Sequence, residues 1–357
     1  MEIAPFALER WFAEHEHRAE IMLAESGIRS LPAERFDTDP GTLGYVIPTD
    51  GDPDLRARVA ERYGRDADEV LFTCGTQEAN FVTTLSLLSP GDHAVVVTPT
   101  YQSLHAVPEA VADVTRVELS PPDWSLPVAA VGDAIRPETR LVVVNNPNNP
   151  VGRYHDRDRV ADLYDVAAAN DAYLLCDEVY RLLADEPIEP VAAMGPRGVS
   201  TTSLTKAYGL AGCRFGWVAG PPEVVEAAWR WKDYTTISPS VFGQHVARQA
   251  LDPDREASIL AENRDLAARN RAIVADFVAD HGLDWHRPVG VNGFPTVPEG
   301  FADAREFCRT VVEEESVVLA PGDVFGFPDR FRIGFGLPTD RLRAGVERVG
   351  DCIERHA

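Results

Sequence analysis

From about residue 52 onward, short unbroken apolar runs alternate with stretches of helical spacing. Glu69–Thr73, His93–Thr98, Leu141–Asn145 and Tyr173–Asp177 each hold three or four consecutive apolar residues. Runs this short, closed by polar residues, predict strands buried on both faces. Glu78–Leu88 and Asp156–Asn170 carry the wider helical spacing between them. Asp52-Pro53-Asp54 reads as an N-cap followed by proline at the first helical position, with Leu55 and Val59 on one face. Apolar strands separated by helices predict an α/β architecture, a parallel sheet covered on both sides.

The C-terminal third has a different rhythm. A long helical pattern from Arg255 to His281 is followed by Val291–Val297 and then a helix over Ala302–Glu315. Strands at Val317–Ala320 and Phe331–Phe335 and a last helix from Thr339 complete it. The pattern predicts three parts. Residues 1–40 form a segment that packs on the small domain or across the active site. Residues 41–250 form the large domain, and 251–357 a smaller α+β domain. No internal repeat interrupts this order.

Charge narrows the partners. Among 357 residues, 57 acidic groups face 34 basic ones, a formal net charge of -23. Such a surface repels nucleic-acid phosphates and anionic membranes, so neither is an expected partner. Arginine far outnumbers lysine and the acidic excess is spread along the chain, which points to a protein adapted to high salt; an ordinary acidic protein is the alternative. The five cysteines have no CxxC spacing, which predicts reduced thiols, a cytoplasmic setting and no metal site. The N-terminus lacks the basic and apolar regions of a signal peptide, and no apolar run reaches membrane-spanning length.

The chain contains two lysines, and one of them, Lys206, lies in the glycine-studded run from Ser203 to Trp217. Unlike arginine, a desolvated lysine can lose its proton and attack a carbonyl. Other polar motifs close the predicted strands, the edge where ligands bind in an open α/β sheet. Gly75-Thr76-Gln77 joins a strand to a helix and offers backbone N–H groups and a hydroxyl to an anion. Asn149 lies in the stiff run Asn145–Gly152. Asp177 ends a strand, with Tyr180 three residues on. Ser203 and Arg214 flank Lys206. Each alone has a plain alternative: a structural turn, a helix cap or a solvated lysine. Their joint occurrence, in the order one cofactor site needs, favours function.

These strings resemble the fold-type I pyridoxal-phosphate (PLP) enzymes, and within them the class I/II aminotransferases. The matching runs are Thr73–Gln77, Asn148–Gly152, Asp177–Tyr180, Ser203–Arg214 and Phe331–Phe335. The resemblance implies a mostly parallel seven-stranded sheet between helices, a smaller α+β C-terminal domain and a homodimer with shared active sites. It implies that Lys206 forms the Schiff base with pyridoxal 5'-phosphate and shuttles protons. Asp177 would pair with the ring nitrogen, and Asn149 and Tyr180 would bond the ring oxygen. Gly75, Thr76, Gln77, Ser203 and Arg214 would hold the phosphate. Tyr101 would stack on the ring, and Arg332 would grip the substrate carboxylate. Tyr45 resembles the tyrosine that reaches the neighbouring subunit's phosphate, at a one-residue shift in spacing.

Val151 replaces the family's usual threonine, and Gln77 stands where a lysine is common. Trp11 and Phe12 are read as core, with the substrate pocket as the alternative; His105, Trp217 and Tyr234 are read as packing or surface groups. The implied activity is transfer of an amino group from an L-amino acid to a 2-oxo acid. The alternative is a lyase, decarboxylase or amino-acid cyclase similar to capreomycidine synthase. A non-enzymatic regulator is disfavoured, because the lysine, the aspartate and both arginines are all present.

Overall fold

The computed structural model describes residues 2–356. Its centre is a seven-stranded sheet: β1 (Val70–Thr73), β2 (His93–Thr98), β3 (Asp113–Glu118), β4 (Thr139–Asn145), β5 (Tyr173–Asp177), β6 (Gly198–Ser203) and β7 (Gly216–Ala219). The spatial order is β1-β7-β6-β5-β4-β2-β3. Only β7 runs antiparallel to its neighbours, β1 and β6.

Alternation along the strands divides their side chains between two layers. Val95, Val97, Val142, Val144 and Leu174 pack with Trp124, Val160 and Leu163 on one face. Ala94, Val96, Leu141, Val143 and Leu175 pack with Val82, Val224 and Ala228 on the other. The helices start where the sequence supplies caps. Asp52 accepts from the Leu55 N–H at 2.7 Å, and Asp156 from Arg159 at 2.9 Å. Asp252 caps the long helix Pro253–Asp280, and Asp303 caps Ala304–Glu315.

Strand register brings the polar strand ends together. Asn145 pairs with Asp177, and Asp177 with Thr201. Gly216 stands opposite both Thr73 and Ser203.

The C-terminal part contains a three-stranded antiparallel sheet in which Phe331–Gly334 lies between Ala320–Pro321 and Asn292–Gly293. The regular strand in Val291–Val297 is thus shorter than its apolar pattern, because only two residues pair continuously, with an isolated bridge at Thr296. The apolar run Val317–Ala320 is split in two. Val317–Val318 pairs in parallel with Ile21–Met22, and Ala320–Pro321 joins the other sheet.

The N-terminal segment therefore adds a strand here. It then continues beside Phe331–Gly336, with Gly334 N–H donating to the Leu23 carbonyl and Arg29 N–H to that of Gly336. Two buried asparagines stitch the long helix to its surroundings. Asn263 donates to the Ala207 carbonyl at 2.8 Å, and Asn270 to those of Phe335 and Leu337 at 2.7 Å each. Among the described residues no helix is long and apolar enough to cross a membrane.

Candidate active site

The strand ends open into a cavity of about 410 Å³, roofed by the helix Ala7–His15 and the segment Met22–Ser26. Thr76, Gln77, Tyr101 and Asn149 line it, as do Asp177, Tyr180 and Ser203. Lys206, Arg214 and Arg332 also line it, whereas Gly75, likewise expected, does not.

At one end the helix Gly75–Leu87 begins with its N–H groups toward the cavity, and Thr76 Oγ1 donates to Ser203 Oγ at 2.8 Å. Gly75 has φ +77°, and a Cβ there would come within 2.8 Å of the Arg214 guanidinium. Glycine thus lets the arginine lie against the helix start. The cluster combines a helix N-terminus, two hydroxyls and a guanidinium, which suits a phosphate group.

Asp177 lies deeper. Its carboxylate accepts from Asn80 Nδ2 at 2.8 Å and from the Val179 N–H at 3.1 Å. Asn80 is itself oriented by Thr201 Oγ1, which donates to its Oδ1 at 2.5 Å. Burial raises the Asp177 carboxyl to about 6, while these hydrogen bonds and the positive charge of Lys206 pull it down. A carboxylate kept dry and fixed by two donors is suited to a cationic ring N–H.

Lys206 Nζ donates to Ser26 Oγ at 3.0 Å, so the N-terminal segment holds the amine. Arg332 is 1% exposed. Its Nη1 donates to Asn149 Oδ1 at 3.0 Å and its Nη2 to the Ala24 carbonyl at 2.6 Å, while Nε has no partner. Burial lowers the Arg332 pKa, opposed by Tyr180, Tyr101, Glu9 and Glu25. Tyr101 donates to Glu9 Oε1 at 3.1 Å; burial first, then that carboxylate, raises its phenol.

Other sequence candidates fall elsewhere. Tyr45 is 77% exposed and does not line this chain's cavity. Trp11 is core, with Nε1 donating to the Leu319 carbonyl at 2.8 Å, whereas its neighbour Phe12 lines the cavity. The pair therefore divides between the two readings, because adjacent helical positions face different directions. Trp217 is buried against Tyr63, Tyr234 is exposed, and His105 pairs with Glu109 and Arg116. Sequence reasoning missed Asn80, Ser26 and the acidic lining Glu9, Glu16 and Glu25. Asn80 lies one helical turn after Thr76 in the phosphate-facing helix, a spacing that would have suggested it.

Unlike Lys206, which is half-buried, the second lysine, Lys232, is buried. It pairs with Glu78 at 3.4 Å and donates to Thr236. It does not line the cavity. Scarcity alone therefore did not separate a reactive lysine from a structural one.

A seven-stranded, mostly parallel sheet, a lysine and an aspartate in one cavity and an anion cradle at a helix start define a fold-type I PLP enzyme. The residues fit that cofactor: the buried Asp177 carboxylate is held by two donors facing the cavity, and Gly75 lets Arg214 lie against the helix start. The model of the family "Aminotransferase class I and II" matches residues 24–349, and the chain belongs to that family.

Capreomycidine synthase of Streptomyces vinaceus is 33% identical over 98% of this chain and 94% of its own. The aspartate/prephenate aminotransferase of Thermus thermophilus is 28% identical over 88% of this chain and 84% of its own. A PLP-dependent aminotransferase from Streptococcus suis superposes with a TM-score of 0.94 at 30% identity, covering 100% of this chain and 99% of the other.

Proposed function

We propose that the protein is an aminotransferase that moves an amino group from an L-amino acid to a 2-oxo acid, with Lys206 as the residue that binds the cofactor and carries the proton. The observation that bears most weight is the meeting of Lys206, Asp177 and Arg332 in one cavity beside a phosphate cradle. When bound, PLP supplies an aldehyde to which amines add and a protonated ring that accepts electrons from the substrate.

The chain's residues then have distinct roles. Lys206 would hold the cofactor through its ε-amine and, once displaced, would take the proton from the substrate Cα and deliver it to the cofactor carbon C4′. Asp177 keeps a proton on the ring nitrogen, and Asn80 and Val179 keep Asp177 in place. Asn149 has its Oδ1 turned to Arg332, which leaves its amide donors for the ring oxygen, with Tyr180 beside it. Thr76, Ser203, Arg214, the Gly75 backbone and Gln77 anchor the phosphate. Arg332, whose side chain lines the cavity, takes the substrate carboxylate. Tyr101 packs against the ring. The roof formed by Ala7–His15 and Ser26 limits water in the cavity.

Tyr45 is read as reaching a partner subunit's phosphate in a homodimer; its exposure on this chain is consistent with that role. The acidic surface is read as an adaptation to salt, and the setting as cytoplasmic.

A cyclase outcome is the second reading, favoured by the 33% identity to capreomycidine synthase along nearly the whole chain. The cavity residues named here serve either outcome up to the proton transfer at Cα. The test is spectroscopic. One L-amino acid should abolish the visible band of the lysine-bound cofactor, and a 2-oxo acid should restore it, with stoichiometric amino transfer. Conversion of the amino acid without any transfer to a 2-oxo acid would reject the transaminase reading in favour of the cyclase or lyase.

A further inference from the structure

The helix that turns its first N–H groups toward the phosphate cradle, Gly75–Leu87, starts without a side-chain cap. Its N-cap residue is Cys74, whose side chain accepts no hydrogen bond from the first turn. Serine, threonine or aspartate there would occupy N–H groups of that turn, whereas cysteine leaves them for an anion. The same first turn carries an acidic residue, Glu78. The helix dipole draws a carboxylate in this position toward the N-terminus, where it can reach back to the N–H groups a phosphate needs. Left unrestrained, Glu78 competes with the phosphate for its own site.

The surrounding residues hold Glu78 elsewhere. Its Oε2 accepts from the Cys74 N–H at 2.6 Å and from Lys232 Nζ at 3.4 Å. Its Oε1 accepts from the Thr236 hydroxyl at 2.8 Å and from that of Thr235. Burial pushes the Glu78 carboxyl up, but Thr235, the Cys74 N–H, Lys232 and Thr236 outweigh it and hold it below its ordinary range. It therefore stays charged, with both oxygens engaged. Lys232 ends the helix Pro222–Lys232, has a wholly buried side chain and also donates to Thr236. A lysine is rarely buried so completely unless a partner holds its charge, and packing alone is better served by an apolar residue.

The cluster connects directly to the cradle. The Cys74 carbonyl accepts from Arg214 Nη2 at 3.3 Å. Cys74 thus has its N–H on Glu78 and its carbonyl on the guanidinium assigned to the phosphate. All of these contacts are made within one chain.

We propose that Lys232 is a positioning residue for the phosphate end of the cofactor site: it keeps the Glu78 carboxylate on the Cys74 N–H and off the free N–H groups at the helix start. This rests on the reading of that helix start as the cradle for the cofactor's phosphate. It gives the chain's second lysine a part in cofactor retention without contact with the cofactor.

The test separates the phosphate from the rest of the cofactor. The full-length protein, freed of cofactor, is titrated with PLP and with pyridoxal, which has the same ring and aldehyde but no phosphate. The visible band of the lysine-bound form reads both. Lys232→Met keeps an apolar stem and removes the charge. It should weaken PLP roughly tenfold and pyridoxal by no more than about twofold. Adding Glu78→Gln removes the competing charge and should restore most of the lost PLP affinity. Thr236→Val takes one donor from Glu78 and one acceptor from Lys232, and should give a smaller loss that again falls on PLP.

Equal losses for the two compounds would mean that the cluster only supports the fold, and would overturn the proposal. So would unchanged PLP affinity in both single variants, or no recovery in the double variant. If Lys232→Met does not fold, Thr236→Val decides by the same criterion. If the unaltered protein forms no lysine-bound band with PLP, the proposed function fails and this inference with it; a normal band without the PLP-selective loss rejects this inference alone.

Discussion

Burial holds the Asp177 carboxyl up at about 6, against the ordinary value of 3.8, even though Asn80 and Val179 donate to it. The consequence for folding has a definite sign. A carboxyl whose folded pKa is raised binds protons more tightly in the native state. Its contribution is therefore fully present below about pH 4 and is lost as pH rises to about 6. The cofactor-free protein should lose stability from this group across that window, and Asp177→Asn should flatten that part of the curve; chemical denaturation at several pH values measures it. With cofactor bound the same variant should be badly impaired. Removing one member of a buried ion pair costs about 3–5 kcal/mol, roughly a hundredfold or more in kcat. Asn80→Ala should cost less, roughly tenfold in kcat with little change in KM, because Val179 still holds one oxygen. At this scale the sequence was informative where chemistry is local: the glycine-studded loop around Lys206, the Asp177–Tyr180 spacing and the Gly75 turn. It was silent on Asn80 and Ser26. Their partners lie 97 and 180 residues away, and only folding joins them.

Among the elements, the long helix Pro253–Asp280 has a direct link to the cofactor loop. Asn263 is fully buried, donates to the Ala207 carbonyl next to Lys206, and accepts from Arg29 at 2.6 Å. Asn263→Ala leaves the Ala207 carbonyl without its donor and should destabilise the protein by about 2 kcal/mol, measured as a lower denaturation midpoint. It should also weaken retention of the cofactor, because the carbonyl it fixes adjoins the lysine. The apolar runs foretold β1, β2, β4 and β5 and the Asp52 cap foretold one helix start, since both signals are local. Edge strand β3 carries a mixed Asp-Val-Thr-Arg-Val-Glu pattern and gave no continuous run. Strand β6 is rich in serine and threonine, and β7 follows the glycine-studded loop so closely that the two merged. In the roofing helix Ala7–His15 the sequence singled out only Trp11 and Phe12, and which of them met the cavity depended on the packing of Trp11 against Leu319.

For the whole molecule, two features call for measurement. Leu43, Tyr45 and Ile47 are between 70% and 87% exposed, and Tyr234 and Phe242 are exposed as well. Exposed apolar groups of this size favour association, and we expect a dimer in sedimentation at micromolar concentration, with Tyr45→Asp shifting it toward monomer and loosening the cofactor. The net charge of -23 repels itself at low ionic strength. Screening should therefore raise the melting temperature between about 0.1 and 1 M salt, where the Debye length falls from about 10 to 3 Å. The central claim is that this fold presents one reactive lysine to the cofactor. The chain makes that unusually easy to test, because Lys206 and Lys232 are its two lysines. Borohydride reduction of the holoenzyme followed by peptide mass mapping should find the cofactor fixed to the peptide carrying Lys206, with Lys232 unmodified. An adduct on Lys232, or full cofactor-dependent activity in Lys206→Ala, would contradict that claim.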